Sequence, residues 1–310
     1  MTERVLAICG PTASGKSQLA LAVAEAFDGV VVNADSMQLY RELRILTARP
    51  DATALARAPH RLYGVLPATT PASAAMWCDM ALAEIRDAKA AGKLPILVGG
   101  TGLYLRALAF GLAPVPEIPP EIRKDTAAQW ARLGGEGFHA MLRERDPEMA
   151  ARLPSGDRQR LLRAWEVFQA TGRSLADWQR ETSKETSVSL VPILLAPPRP
   201  ALYAACDQRF LHMLAMGALD EVGALAGLDP ALPLRKALGV PALLRHLEGA
   251  ISLEAAISEA QQATRRYAKR QLTWFRNQMA EGHWVNEQYS ESLEQKIFSF
   301  IRQFRLTATD

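Results

Sequence analysis

A chain of 310 residues, 49% hydrophobic and 22% charged, has the composition of an ordinary soluble globular protein with ample material for a core. No apolar run reaches the roughly 18 residues of a membrane span, and no secretory signal opens the chain. A net charge of +3 is too small to argue for nucleic acid by itself, so the placement of the cations matters more. Cys9, Cys78 and Cys206 are odd in number and far apart. They form neither a disulfide framework nor a metal pair, which suits a reducing cytoplasm. The five histidines, at 60, 139, 212, 246 and 283, show no metal spacing and are assigned no role.

In chain order, Val5 to Cys9 reads as a buried parallel strand and Lys16 to Phe27 as a helix that Gly29 breaks. Val30 to Val32 is a second strand, delivering Asn33-Ala34-Asp35-Ser36 at its carboxyl end. Met76 to Ala91 is a further helix, and Leu94 to Val98 a third strand that ends at Gly99-Gly100-Thr101-Gly102. Alternating strands and helices predict an α/β fold with a doubly wound parallel sheet, whose ligands bind beyond the carboxyl ends of the strands. Pro114, Pro116, Pro119 and Pro120 stiffen the next connection. Glu121 to about Lys184 is helical, charged and rich in tryptophan, and Val188 to Leu195 resumes the strand pattern. The expected organisation is a core of residues 1–117 and 190–310, with an inserted helical domain at 118–189. The part to Asp310 is mostly helical, with a short strand at His283 to Val285.

Gly10-Pro11-Thr12-Ala13-Ser14-Gly15-Lys16-Ser17 matches G-x-x-x-x-G-K-[ST] between a predicted strand and a predicted helix. The glycines permit the backbone to approach phosphate oxygens, and successive N–H groups at the helix start point at them. Lys16 adds a charge and Ser17 can ligate Mg²⁺. The loop type is shared with nucleotide-binding and ATP-binding proteins. Such enzymes usually place a metal-binding aspartate on a second strand, however, and here that strand ends in Gly99-Gly100. Asp35 is the strand-end acid in this half, readable as a general base or as a cap.

Thr264 to Arg276 holds Arg265, Arg266, Lys269, Arg270 and Arg276 with no acid, interleaved with Tyr267, Trp274 and Phe275. On a helix, Arg265, Lys269 and Arg276 share a side. Cations beside aromatics suit a phosphate backbone, the alternative being a solvated face. Arg152, Arg158, Arg160 and Arg163 form a second basic cluster. Arg209 reads as the start of a helical stretch, where an ion-pair role is the plain alternative.

Four segments together resemble the tRNA dimethylallyltransferases of bacterial type: G-P-T-A-S-G-K-S at 10–17, D-S-M-Q-L-Y at 35–40, P-I-L-V-G-G-T-G-L-Y at 95–104 and T-R-R-Y-A-K-R-Q-L-T-W-F at 264–275. The resemblance implies transfer of a dimethylallyl group from dimethylallyl diphosphate to N6 of the tRNA adenine 3′ of the anticodon, with Mg²⁺ as cofactor. Under it, Gly10 to Ser17 hold the diphosphate, with Lys16 and the metal-binding Ser17 nearest the leaving group and Thr12 near the prenyl substrate. Asp35 becomes the base, Thr101 lies beside the flipped adenine, and Arg209 neutralises diphosphate charge. Ser36, Met37, Gln38, Arg123, Gln159, Arg160, Leu161, Leu162 and Arg163 join Asp35 and Thr101 in contacting tRNA, with Arg265, Arg266, Lys269 and Arg270 on its backbone. The partners expected are the anticodon stem-loop and dimethylallyl diphosphate, for a monomeric cytoplasmic enzyme. Leu238-Gly239-Val240-Pro241 and Arg49 depart from the usual family pattern. A small-molecule kinase, a prenyltransferase of free adenine nucleotides and a non-catalytic RNA-binding module are the rival readings.

Overall fold

The computed structural model describes residues 3–181 and 187–306. The chain forms two compact units, one of Met1–Ala109 with Ser187–Asp310, the other of Phe110–Thr186. The first unit is built on six parallel strands in the order β3-β2-β4-β1-β5-β6. The N-terminal part of this unit runs β1 (Glu3–Cys9), α1 (Lys16–Ala26), β2 (Gly29–Asn33), α2 (Ala52–Arg57), β3 (His60–Arg61), α3 (Ala74–Ala90), β4 (Leu94–Gly99) and α4 (Gly102–Phe110). The predicted strands and their alternation with helices are observed. The turn before β2 differs in detail: Asp28 takes the left-handed conformation (φ 49°), while Gly29 is the first strand residue, packed against Ile96 and Ala24. The two-residue β3 and the short α2 carry too little periodicity to be read from the sequence.

β1 shows why the layers form. Its side chains alternate between faces, as the pleat requires. Val5, Ala7 and Cys9 join Trp77, Ile85, Tyr104 and Phe275 in one core layer. Leu6 and Ile8 join Leu19, Val23, Ile297 and Phe298 in the other. In register, Leu6 pairs with Ile96 and Val191, placing β1 between β4 and β5.

The second unit is helical, with α5 (Pro120–Arg145), α6 (Pro147–Arg152), α7 (Arg158–Thr171) and α8 (Leu175–Arg180). Phe138, Leu142, Leu161 and Trp165 form its separate core. Asp146, Asp157 and Ser174 cap the starts of α6, α7 and α8 through their side chains. The unit opens at Phe110 rather than at 118, because α4 ends there and the proline-rich stretch groups with the helical unit. Its end at Thr186 precedes the resumed strand instead of cutting into it. Lys184, to which the helical run was expected to extend, lies outside the described residues.

The first unit then resumes with β5 (Val188–Leu195), α9 (Arg199–Ala215), α10 (Ala218–Gly223), α11 (Val240–Leu247), α12 (Leu253–Gln278), β6 (His283–Val285) and α13 (Glu291–Leu306). α9, α11 and α12 enclose a further apolar cluster with Tyr40, Leu43 and Leu46. Within it, Val240 is fully buried and Gly239 packs on Phe210, so the divergent 238–241 segment forms the start of α11. No described helix is long and apolar enough to cross a membrane.

Candidate active site

The loop after β1 leads into α1 at the carboxyl edge of the sheet. Gly15 begins the helix at φ 91°, a conformation a side chain resists, and a Cβ there would collide with Tyr289. Lys16, Ser17, Arg209 and Gln288 line a pocket of about 340 Å³ against this loop. Lys16 Nζ donates to the Pro11 carbonyl at 2.6 Å, so the ammonium folds over the loop. Burial pushes it down to about 8, Asp35 raises it and Arg209 lowers it further. The Arg209 guanidinium, itself buried, donates to Thr12 Oγ1. Arg209 is therefore a mid-helix residue of α9, which starts ten residues before the expected helical onset.

Asp35 leaves the end of β2, one strand away from the loop across β4. Asn33, fully buried, fixes it: Asp35 N–H donates to Asn33 Oδ1 at 2.8 Å, and Asn33 Nδ2 donates to the Asp35 carbonyl at 3.0 Å. Trp77 Nε1 in turn donates to the Asn33 carbonyl at 2.8 Å. Asp35 Oδ1 accepts the Met37 N–H at 3.0 Å, which is the cap role the sequence left open. Oδ2 has no hydrogen-bond partner among the described residues. Thr101 Oγ1 accepts the Ser36 N–H at 3.0 Å, and Thr101 N–H donates to the Ala34 carbonyl at 3.2 Å, joining the ends of β2 and β4. Burial, with Asp35's charge added, pushes the Tyr63, Tyr104 and Tyr267 phenols upward, so these neighbours stay protonated.

Gln271 ties the two loops together. Its Oε1 accepts the Thr12 N–H at 2.8 Å and its Nε2 donates to the Gly100 carbonyl at 2.9 Å. A Cβ at Gly100 would strike this amide and one at Gly102 would strike Trp274, which explains two glycines of the segment after β4. Gln288 Nε2 donates to the Ala13 carbonyl at 3.1 Å and braces the loop from the far end of the chain. Sequence reasoning misses Gln271, Asn33, Gln288 and Tyr289 as functional residues. Gln271 sits inside the basic segment, and only a glutamine among cations hints there at an inward face.

Several expected contact residues have other partners. Met37 packs against the apolar cluster of α9 to α12. Gln38 Nε2 donates to the carbonyls of Thr47 and Ala48, and Arg49 donates to those of Tyr40 and Arg41, so both hold one loop. In α7, the side chain of Leu161 is fully buried and that of Leu162 packs on the same core, so both hold the helix in place. Arg123, Gln159 and Arg160 are exposed, and Arg163 is half-buried beside Glu166. On α12, Arg265 is ion-paired to Asp207 at 2.5 Å, while Arg266, Lys269, Arg270 and Arg276 are exposed.

Burial keeps the three free thiols protonated, Cys9 pushed up to about 12 and Cys78 to about 11. Among the described residues no group of three or more His, Cys, Asp or Glu could hold a metal. A cation at the loop would rest on Ser17 and on phosphate oxygens, the hard-oxygen set that Mg²⁺ favours, and the exposed Ser17 in the pocket fits it.

The family model described as IPP transferase matches residues 38–278, and one described as isopentenyl transferase matches residues 3–66. The chain belongs to the IPP transferase family. It is 57% identical to a tRNA dimethylallyltransferase of Rhodospirillum centenum over 90% of both chains. It is 54% identical to that of Paramagnetospirillum magneticum over 97% of this chain and 96% of the other. Among solved structures, it is similar to the full-length tRNA isopentenylpyrophosphate transferase of Bacillus halodurans, with a TM-score of 0.71 and 32% identity over 97% of this chain and 96% of that one. Residues 10–17, 35–40, 95–104 and 264–275 meet at this sheet edge, joined by the Thr101–Ser36 bond and the Gln271 bridge.

Proposed function

We propose that this chain transfers the dimethylallyl group of dimethylallyl diphosphate to N6 of the tRNA adenine 3′ of the anticodon. The observation that carries the reading is the Gln271 bridge, which fixes the phosphate loop to the loop holding Thr101 and hence to Asp35. A diphosphate seat and a carboxylate base are thereby held at one edge.

In the reaction the N6 lone pair forms a bond to C1 of the prenyl group while the C1–O bond breaks, its electron pair leaving on the diphosphate. Loop N–H groups, Lys16 and Arg209 meet that growing charge, which is where fixed dipoles and cations contribute most. The proton lost from N6 passes to Asp35 Oδ2, with the Met37 N–H holding the carboxylate and Asn33 and Thr101 holding the backbone on either side of it. Ser17 would hold Mg²⁺, which supplies further charge neutralisation on the diphosphate. Placing N6 between the base and the prenyl group requires the adenine to leave its stack, as base-modifying enzymes demand.

The exposed cations of α12 and of the helical unit suit tRNA rather than a free nucleotide. β4 ends at Gly99 without an acid, which leaves a kinase-type metal site without its usual aspartate. Monomeric state and cytoplasmic location belong to the same proposal. The test is incubation with dimethylallyl diphosphate and unmodified tRNA, followed by nucleoside analysis. Prenylated adenosine is expected. Transfer to free AMP alone, or phosphorylation from ATP, would overturn the reading.

A further inference from the structure

Gln288, three residues beyond the end of β6, lines the phosphate pocket from the C-terminal part of the chain. Its Nε2 donates to the carbonyl of Ala13, which stands at φ 63°, a left-handed conformation that a side chain resists and that a partner must hold. Its Oε1 is shielded from solvent and has no hydrogen-bond partner among the described residues. A buried acceptor left unmet costs free energy, so such an atom points to a donor that arrives with a ligand. The pocket is otherwise arranged for an anion: Lys16 and Arg209 line it, and among the described residues no Asp or Glu does. A fully ionised diphosphate presents oxygens alone and repels a carboxamide oxygen. Both cations already have acceptors, Lys16 in the Pro11 carbonyl and Arg209 in Thr12 Oγ1. A hydrated divalent cation remains, since Mg²⁺ dehydrates reluctantly and keeps several waters, each a donor. Ser17 offers that cation one oxygen, and β4 ends without the acid that would usually face it. Glu287, the neighbouring acid, pairs with Lys296 at 3.8 Å instead. Gln18, the other carboxamide of the pocket, is exposed and met by solvent.

We propose that Gln288 is a positioning residue for Mg²⁺, its Oε1 accepting a hydrogen bond from a water of the cation held by Ser17 and the diphosphate. A neutral oxygen orients the hydrated cation without the repulsion that an aspartate there would exert on the diphosphate. Because the same amide holds the Ala13 carbonyl, one side chain fixes both the cation's water and the left-handed turn of the loop. The inference rests on the reading of residues 10–17 as a diphosphate seat that takes Mg²⁺.

The test is calorimetry of pyrophosphate binding, with Mg²⁺ and in chelator, for wild type, Gln288→Leu and Gln288→Glu. Affinity in chelator reports the brace on Ala13, and the gain on adding Mg²⁺ reports Oε1. Binding of Mg²⁺ to free pyrophosphate is common to all three proteins and cancels. Loss of an outer partner of a metal site lowers metal affinity by about 10–100-fold, so the gain in Gln288→Leu should be about tenfold smaller than in wild type. Gln288→Glu keeps the shape and strengthens the acceptor. Its gain should equal or exceed that of wild type, although its affinity in chelator is weaker. A wild-type gain in the Leu variant, with affinity lowered by one factor in both conditions, would overturn the proposal and leave Gln288 as a brace. A Glu variant whose gain falls as far as that of the Leu variant would also overturn it. Should Gln288→Leu lose its cooperative unfolding transition, the Glu variant decides alone. A wild type whose pyrophosphate affinity ignores Mg²⁺ would overturn the metal reading of Ser17. One that binds no pyrophosphate would overturn the diphosphate seat, and either result takes this inference with it.

Discussion

Asp35 divides its carboxylate between two tasks: Oδ1 closes a turn on the Met37 N–H, and Oδ2 is left without a partner among the described residues. Asp35→Asn keeps an acceptor for that N–H but removes the base. Turnover should therefore fall by roughly 10² or more while tRNA affinity stays near wild type, measured by single-turnover assay and by binding. Unchanged turnover would reduce Asp35 to its turn. Lys16 offers a pH test. Its ammonium is depressed to about 8 in the free protein, and a bound diphosphate favours the charged form. Pyrophosphate affinity should thus hold below pH 8 and fall above it, by up to about tenfold per pH unit until the bound-state value is passed. Lys16→Arg should flatten that profile, which calorimetry across pH 7–10 would reveal. The phosphate loop and Asp35 are legible in the sequence because fixed spacing and strand-end position are local properties. Gln271 is not, since its amide acquires its role from an N–H and a carbonyl far away along the chain, and Asn33 bonds the distant Leu62 carbonyl as well as its neighbour Asp35.

At the scale of the element, α12 has two faces. Thr264, Ala268, Gln271 and Phe275 are buried, and the cations lie outward or along the flank. The run of positive charge is plain in the sequence, yet the pairing of Arg265 with Asp207 is not, because 58 residues separate them. Arg266→Gln/Arg270→Gln should lower the salt slope of tRNA binding by about one for each phosphate no longer neutralised. Arg265→Gln should leave the slope near wild type, its charge being already compensated. Equal effects from both variants would contradict this division of the helix. Helix α7 shows the complementary case. Gln159 to Arg163 are consecutive and all expected to touch tRNA, but a helix turns once in 3.6 residues, so Leu161 has to face its own core.

At the scale of the whole molecule, the chain keeps separate cores for its two units. Trp165→Ala should cost the helical unit about 3–5 kcal/mol, read as a lowered unfolding transition, with pyrophosphate affinity retained by the sheet unit. Loss of pyrophosphate binding would contradict separate cores. The α/β class and the existence of an insertion are legible from alternating patterns and the proline-rich break, whereas the opening at Phe110 depends on packing. The supports of the phosphate loop have a temporal consequence. Residues 10–17 leave the ribosome early, but Gln271, Gln288 and Tyr289 are made more than 250 residues later. At ~5–20 residues per second, the loop waits on the order of 13–50 s for the groups that brace it. A nascent or prematurely terminated chain therefore carries the phosphate-binding sequence without a finished seat. Under the proposed function, substrate capture is reserved for chains synthesised past Tyr289.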